Sequence, residues 1–120
     1  MTKPIHKIEI IDDNDNLLRR VMFLNPSFIK PNGTPASSSF SLKKGENGLS
    51  VDIERLTTHQ ASIQDRSKFR LFLLNAKFTS SLGLTNQHDP QPDNYAHALI
   101  IGNFTRSISR KLADVARRVL

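Results

Sequence analysis

Three polar side chains stand in segments of this sequence that are otherwise apolar, and all three types can take part in chemistry. Arg19 is in the run LLRRVMFL, Ser50 is in LSVDI and His97 is in HALII. Each run has the alternating or β-branched pattern of a strand. Because arginine is rarely buried without a partner, Arg19 needs an anion beside it if it points into a cleft, and that anion is either a ligand or an acid such as Asp52 or Glu54. The three side chains favour one polar cluster on a sheet.

His97 has a second interpretation, which concerns packing. A period of two puts its side chain on the same face as Leu99 and Ile101. A histidine on an apolar face is more often a core residue satisfied by one hydrogen bond than a functional group. Both alternatives stay open at the level of sequence.

An arginine, a serine and a later polar residue on separate strands resemble the arrangement of the ADP-ribosyltransferases. In that family the arginine and the serine help to hold NAD, and a glutamate acts late. The resemblance implies a small NAD-using enzyme with a polar sheet site of Arg19, Ser50 and His97. The last glutamate of this chain is Glu54, so His97 would take the place of the late glutamate.

Metal and nucleotide motifs are absent from the sequence. The cluster DDNDN at 12–16 has ligand types of a calcium loop, but Leu17 and Phe23 stand where that loop requires glycine and glutamate. We interpret it as a turn. The four histidines form no HxH or HExxH pair, and the absence of cysteine excludes thiolate catalysis and cysteine-type metal sites. Apart from the NAD of the alternative above, we expect no metal and no cofactor.

The last sixteen residues, TRSISRKLADVARRVL, carry much of the formal net charge of +6. Their charged residues are Arg106, Arg110, Lys111, Arg117 and Arg118, against the single acid Asp114. On a helix, Arg106, Arg110 and Arg117 fall within roughly 40° of one another, and the apolar residues gather on the opposite side. The segment predicts an amphipathic helix with one basic face, and with Leu112 and Val115 in the core.

Such a basic helix favours an acidic partner. The sequence pI of about 10.1 is typical of proteins that contact nucleic acid. Further cations could add to the contact, namely Lys30, Lys43, Lys44, Arg66, Lys68 and Arg70. We expect contacts with the nucleic-acid backbone and not with base edges, because the final helix has no Asn or Gln. An acidic protein partner is an equally physical alternative.

Strand patterns recur along the chain, with too few helices between them for a regular βαβ series. KIEII at 7–11 predicts a first strand, which the turn at 12–16 joins to LLRRVMFL in a hairpin. The most apolar run, FRLFLLNA at 69–76, predicts a central strand. We expect a single α+β domain over residues 1–120, with about five mostly antiparallel strands and the C-terminal amphipathic helix packed on the sheet.

The remaining patterns predict helices and loops. Thr57 has the spacing of a capping box and predicts a helix over about 58–66. Thr105 is the predicted N-cap of the last helix. The stretch TNQHDPQPDN at 85–94 predicts an exposed loop that carries His88.

A spaced pattern extends over residues 17–101 and reads R…NPSFI…G…SSSF…GLSV…DP…HALI. It resembles a family of small uncharacterised bacterial proteins that has no established activity. The resemblance implies that the loops around Phe28, the serines at 37–39 and Asp89 belong to one unit. The basic final segment lies outside the matched pattern.

These patterns favour a small basic binding protein, or an accessory subunit of a larger bacterial complex, in the cytoplasm. The expected partner is nucleic-acid backbone or an acidic protein. The start MTKPIHKIEII lacks the apolar core of a signal peptide. No run approaches the roughly 18–20 apolar residues of a membrane span, so we expect no membrane partner. The small enzyme with Arg19, Ser50 and His97 is the alternative.

Overall fold

One antiparallel sheet organises the part of the chain that the structure describes, residues 7–25 and 27–120. In this computed structural model the strands are β1 (Asn16–Met22), β2 (Leu49–Ile53), β3 (Phe69–Asn75), β4 (Thr85–His88), β5 (His97–Ile101) and β6 (Arg117–Arg118). Their order across the sheet is β4-β5-β2-β1-β3-β6, and every pair of neighbours is antiparallel. The expected α+β class is confirmed in a single compact domain, but the described residues form six strands and not five. β1 and β2 lie at the centre, whereas β3 lies next to the edge strand β6.

Three α-helices accompany the sheet within the described residues. They are α1 (His59–Ile63), α2 (Ala76–Ser81) and α3 (Arg106–Val115), and short 3-10 turns lie at Ser37–Phe40 and Glu54–Leu56. The side chain that caps α1 belongs to Thr58 and not to Thr57, and the helix ends before Gln64, which has a left-handed φ of 65°. The predicted cap of α3 by Thr105 is confirmed. No helix in this part of the chain has the length and apolar character that crossing a membrane requires.

The basic C-terminal segment is not one helix, which corrects the sequence-based expectation. α3 ends at Val115, and Arg117–Arg118 then pair with β3 as the short strand β6. Residues 119–120 continue past this strand and pack against apolar side chains of the sheet. A continued helix would leave those two side chains in solvent and the edge of β3 without hydrogen bonds.

Apolar side chains cover both faces of the sheet. The larger cluster lies on the face of Leu17 and is closed by α3, which docks through Leu112, a residue with 0% exposure. Ser109 of the same helix donates a hydrogen bond of 2.9 Å to the backbone oxygen of Phe40. The expectation that the final helix packs on the sheet is therefore confirmed. Val115 was expected in the core, but it is 47% exposed and lies outside the core. The smaller cluster, on the opposite face, consists of Leu18, Ile63 and Leu71.

Residues 7–11 do not form a strand, so the predicted hairpin with LLRRVMFL is wrong. Both edges of β1 are occupied, by β2 on one side and β3 on the other. A strand at 7–11 would therefore find no free edge on β1. Arg55 holds the segment instead, since its guanidinium lies 2.7 Å from Glu9 and 2.7 Å from Asp15.

Candidate functional site

The guanidinium of Arg19 fills a gap between β1 and β2. These two strands pair at only two residues of β1, so the backbone of β2 beyond them has free carbonyl groups. Arg19 Nη1 donates to the backbone oxygen of Ser50 at 2.9 Å, and Nε donates to that of Ser39 at 3.0 Å. Among the described residues, no carboxylate forms an ion pair with Arg19. Asp52 pairs with Arg20 and Glu54 with His59, so neither acid is the partner.

Arg19 is a desolvated cation whose charge the described residues do not neutralise. Burial lowers its pKa to about 10, while the charge of Glu46 opposes that fall. The side chain therefore stays protonated at neutral pH. Its Nη2 donates to no described residue, and no buried side-chain nitrogen in this part of the chain lacks a partner. It follows that Nη2 faces open space and can receive an acceptor.

Asp89 holds His97 so that one ring nitrogen is left unpaired. His97 Nδ1 lies 2.9 Å from the backbone oxygen of Asp89 and 3.2 Å from its Oδ2. A carbonyl oxygen only accepts, so this hydrogen-bond network assigns the proton to Nδ1 and makes Nε2 an acceptor in the neutral ring. No described residue bonds to Nε2. His97 therefore has a hydrogen-bond partner at Nδ1, like a core histidine, and no partner among the described residues at Nε2.

Asp52 lies on β2, between Leu18 of β1 and His97 of β5, and its contacts hold this part of the sheet in place. It is 2% exposed, and its two oxygens accept from Ser62 Oγ at 2.6 Å and from Asn94 Nδ2 at 2.8 Å. The guanidinium of Arg20 lies 3.5 Å from the same carboxylate. These contacts tie β2 to α1 and to the loop before β5.

One cavity joins the three residues that the sequence grouped. Its volume is about 240 Å³, and Arg19, Ser50 and His97 all line it, so we call it the sheet cleft. Strand alternation starts Arg19 and His97 on opposite faces, because Leu18 shares the His97 face through the register of β1, β2 and β5. Arg19 nevertheless lines the cleft at the gap between β1 and β2, and it also lines a smaller cavity together with Ser39 and Lys43. The remaining residues that line the sheet cleft are Leu18, Arg20, Val51, Asp52, Gln64 and Phe69.

Glu54 does not line the sheet cleft. Its carboxylate accepts from Asn16 at 3.1 Å and lies 2.8 Å from His59 Nε2. The hydrogen bond from His59 is the main cause that lowers the pKa of Glu54. The late glutamate of an ADP-ribosyltransferase thus has no counterpart in the lining of this cleft.

A second concave surface is basic. Its volume is about 340 Å³, it is lined by Lys30, Arg70 and Arg118 together with Phe23 and Leu24, and we call it the basic groove. The guanidinium of Arg70 lies 3.7 Å from the centre of the Phe23 ring, which is a close cation–π stack. Arg118 Nε donates to the backbone oxygen of Leu120 at 3.1 Å. Within the described residues no acidic side chain lines the groove, which is completed by Ile29, Pro31 and Gly33.

The basic residues proposed from the sequence do not share one surface. Arg106, Arg110 and Lys111 are exposed on α3, and none of them lines the basic groove. Arg117 and Arg118 are consecutive in a strand and point to opposite sides, so only Arg118 reaches the groove. None of the five forms an ion pair with a carboxylate of the described residues. From the sequence, Lys30 and Arg70 were only further cations that could add to the contact. The apolar residues next to them in the chain are the one sequence feature that the groove shares.

His59 and His88 make structural contacts. His88 is 4% exposed in β4 and not in an exposed loop, because Thr85–His88 pair with β5. Its Nδ1 accepts the Glu9 N–H at 2.8 Å. His6 lies outside the described residues. Within them, no group of three potential metal ligands occurs.

In comparisons with protein-family models, curated proteins and solved structures, the chain matches none of them. The resemblance to a family of small bacterial proteins therefore stays a prediction from sequence.

Proposed function

We propose that this protein binds the phosphate backbone of nucleic acid, as a small basic protein or as an accessory subunit of a larger bacterial complex in the cytoplasm. The observation that carries the proposal is the convergence of Lys30, Arg70 and Arg118 on one groove without an acidic lining residue. Phosphates suit such cations because each contact releases condensed counterions. The contact surface differs from the helical face that the sequence favoured, but the partner class is the same.

The composition of the basic groove favours a single strand over a duplex. The Phe23 ring and the Arg70 guanidinium form one stacked pair, and Leu24 beside them is 66% exposed. Aromatic and cationic surfaces stack single-stranded bases, at about 1–3 kcal/mol per base. In a duplex the bases already stack on one another, so only phosphates would reach the groove. An acidic protein, the competing partner, gains less from a stacking surface.

The cations of α3 have a different part in this proposal. Arg106, Arg110 and Lys111 are exposed and unpaired, but they lie outside the groove. Unpaired surface charges attract a polyanion over roughly the Debye length, about 10 Å at 0.1 M salt. They therefore raise the association rate without fixing the bound strand.

The experiment is a salt series of fluorescence-anisotropy titrations with short labelled single-stranded and duplex DNA and RNA. Two double variants change the net charge equally: Lys30→Glu with Arg118→Glu in the groove, and Arg106→Glu with Arg110→Glu on α3. We expect the groove variant to lose at least about tenfold more affinity than the α3 variant. Two lost phosphate contacts should also lower the slope of log K against log salt by about 1.4 for a single strand.

The outcomes separate the partner classes. Equal losses in both variants would contradict the groove and indicate diffuse attraction to the whole basic surface. A failure of every oligonucleotide to bind at low salt would sink the nucleic-acid function and leave an acidic protein as the partner. Circular dichroism of both variants checks that the sheet is intact.

A further inference from the structure

We propose that the sheet cleft binds a small hydroxylated anion, with Arg19 holding its phosphate or carboxylate group and His97 accepting a hydrogen bond from its hydroxyl. The lining residues of the cleft and those of the basic groove have no member in common. The ligand site in the cleft is therefore separate from the surface proposed for nucleic acid.

Arg19 supplies the site for the anionic group. Two of its nitrogens are fixed by the carbonyl oxygens of Ser39 and Ser50, which are neutral acceptors. These bonds hold the guanidinium plane in place but leave its charge uncompensated. The free Nη2 and the remaining hydrogen of Nη1 give two donors on one edge, which matches the two oxygens of a carboxylate or phosphate.

No carboxylate of the described residues is bonded to Arg19, and Glu46 acts on it only through its charge. Asp52 is already bonded to Ser62, Asn94 and Arg20. Arg20 also lines the cleft and pairs with Asp52, so Arg19 is the cation of the lining that has no ion-pair partner among the described residues. An anion that enters would meet two guanidinium groups and one compensated carboxylate.

His97 supplies the site for the hydroxyl. The bond from Nδ1 to Asp89 fixes both the tautomer and the ring plane, so that Nε2 presents a lone pair. A neutral imidazole nitrogen accepts from a hydroxyl and does not accept from an anion. The ligand must therefore carry a hydroxyl group as well as the anionic group. Ser50, which lines the same cleft, is a further hydroxyl within the site.

The volume of the cleft and one strained residue add support. About 240 Å³ lies below the roughly 300–1,000 Å³ of sites for drug-sized ligands, so the ligand is a molecule of few carbon atoms. Gln64, which lines the cleft, is the one non-glycine residue of the described chain with a positive φ. Strained backbone of this kind is concentrated at ligand sites, where the surrounding structure maintains it.

Isothermal titration calorimetry with glycerol phosphate, lactate and glycerol tests the proposal. The first two carry an anion beside a hydroxyl and distinguish the phosphate source from the carboxylate source, whereas glycerol has only hydroxyls. We expect glycerol phosphate or lactate to bind and glycerol not to bind. His97→Gln should weaken binding at least tenfold, whereas His59→Gln, outside the cleft, should leave it unchanged. Arg19→Met should abolish binding, and Arg110→Met on α3 is its matched control.

A measurement on the unmodified protein covers the case in which Arg19→Met fails to fold. Nitrogen-detected NMR of the wild type should show the Arg19 Nε and His97 Nε2 signals shifting when glycerol phosphate or lactate is added. Shifts confined to arginines outside the cleft, such as Arg106 or Arg118, would overturn the proposal. The absence of binding by both anions would also overturn it and make Arg19 a purely structural arginine.

Discussion

Replacing Asp52 with asparagine tests whether the Asp52 carboxylate stabilises the residues that line the sheet cleft. Asp52→Asn keeps the shape of the side chain but turns one accepting oxygen into an NH₂ donor. In the wild-type protein both oxygens of the Asp52 carboxylate accept hydrogen bonds, from Ser62 at 2.6 Å and from Asn94 at 2.8 Å. Asn94 cannot turn its amide without losing the Ala96 N–H, which its oxygen accepts at 3.2 Å. The new NH₂ group therefore faces Ser62 and the Arg20 guanidinium.

The expected cost of Asp52→Asn follows from these contacts. The Ser62 hydroxyl can reverse and accept, but Arg20 can only donate, so its ion pair at 3.5 Å is lost. A hydrogen bond to a charged group contributes about 1.5–3 kcal/mol, and the loss of the weaker ion pair adds to it. We expect a fall of about 2–4 kcal/mol in the free energy of unfolding, which lowers the melting temperature by about 10 °C in a domain of this size.

Urea unfolding followed by circular dichroism measures the effect of Asp52→Asn. The control is Asp114→Asn on α3, an exposed aspartate for which we expect a change within about 0.5 kcal/mol. A loss below about 1 kcal/mol for Asp52→Asn, or equal losses in the two variants, would refute the assigned role of the carboxylate.

Two further predictions concern α3 and the response to pH. Leu112→Ala should lower the free energy of unfolding by about 2–5 kcal/mol, because Leu112 is fully buried, whereas Val115→Ala on the same helix should change it by less than about 0.5 kcal/mol. Equal losses in urea unfolding would contradict the docking of the helix through Leu112. The hydrogen bond from His59 lowers the pKa of Glu54 below 4.5, so its contribution to stability is present above that pH and is lost as the pH falls through the lower folded value. Glu54→Gln should therefore flatten the loss of stability as the pH falls below 4.5, and an unchanged slope would count against the contact.

Alternating and continuously apolar runs predicted four of the six described strands, because burial of one or both faces leaves a strong signal in the sequence. Asn16–Met22, Leu49–Ile53, Phe69–Asn75 and His97–Ile101 all lie within or close to the runs that the patterns marked. Residues 7–11 have the same β-branched composition but no strand, because the neighbouring edges were already occupied. The availability of an edge is a tertiary property that local composition does not contain.

The candidate sites were predicted in part. Polar residues inside apolar runs pointed to Arg19, Ser50 and His97, and a single cavity contains all three. Strand alternation alone puts Arg19 and His97 on opposite faces of the sheet. They line one cavity because β1 and β2 pair over only two residues, and the sequence does not show how far two strands pair. The helical period of the last segment extended to Val119, but the open edge of β3 drew Arg117–Arg118 into the sheet. Arg117 and Arg118 therefore do not belong to the basic face of the helix, whereas Arg106, Arg110 and Lys111 are exposed on α3.

The short strand β6 protects the sheet from self-association. Without it, the apolar strand β3 would present an open row of backbone donors and acceptors, which could pair with the same strand of another molecule. β6 occupies part of that row with two arginines, and like charges on two such edges repel each other. At the opposite edge the outer strand is β4, whose sequence TNQH is polar throughout. The described sheet therefore ends on both sides in short strands that disfavour fibre-like addition, and the strongly apolar β3 is kept from serving as a template for aggregation.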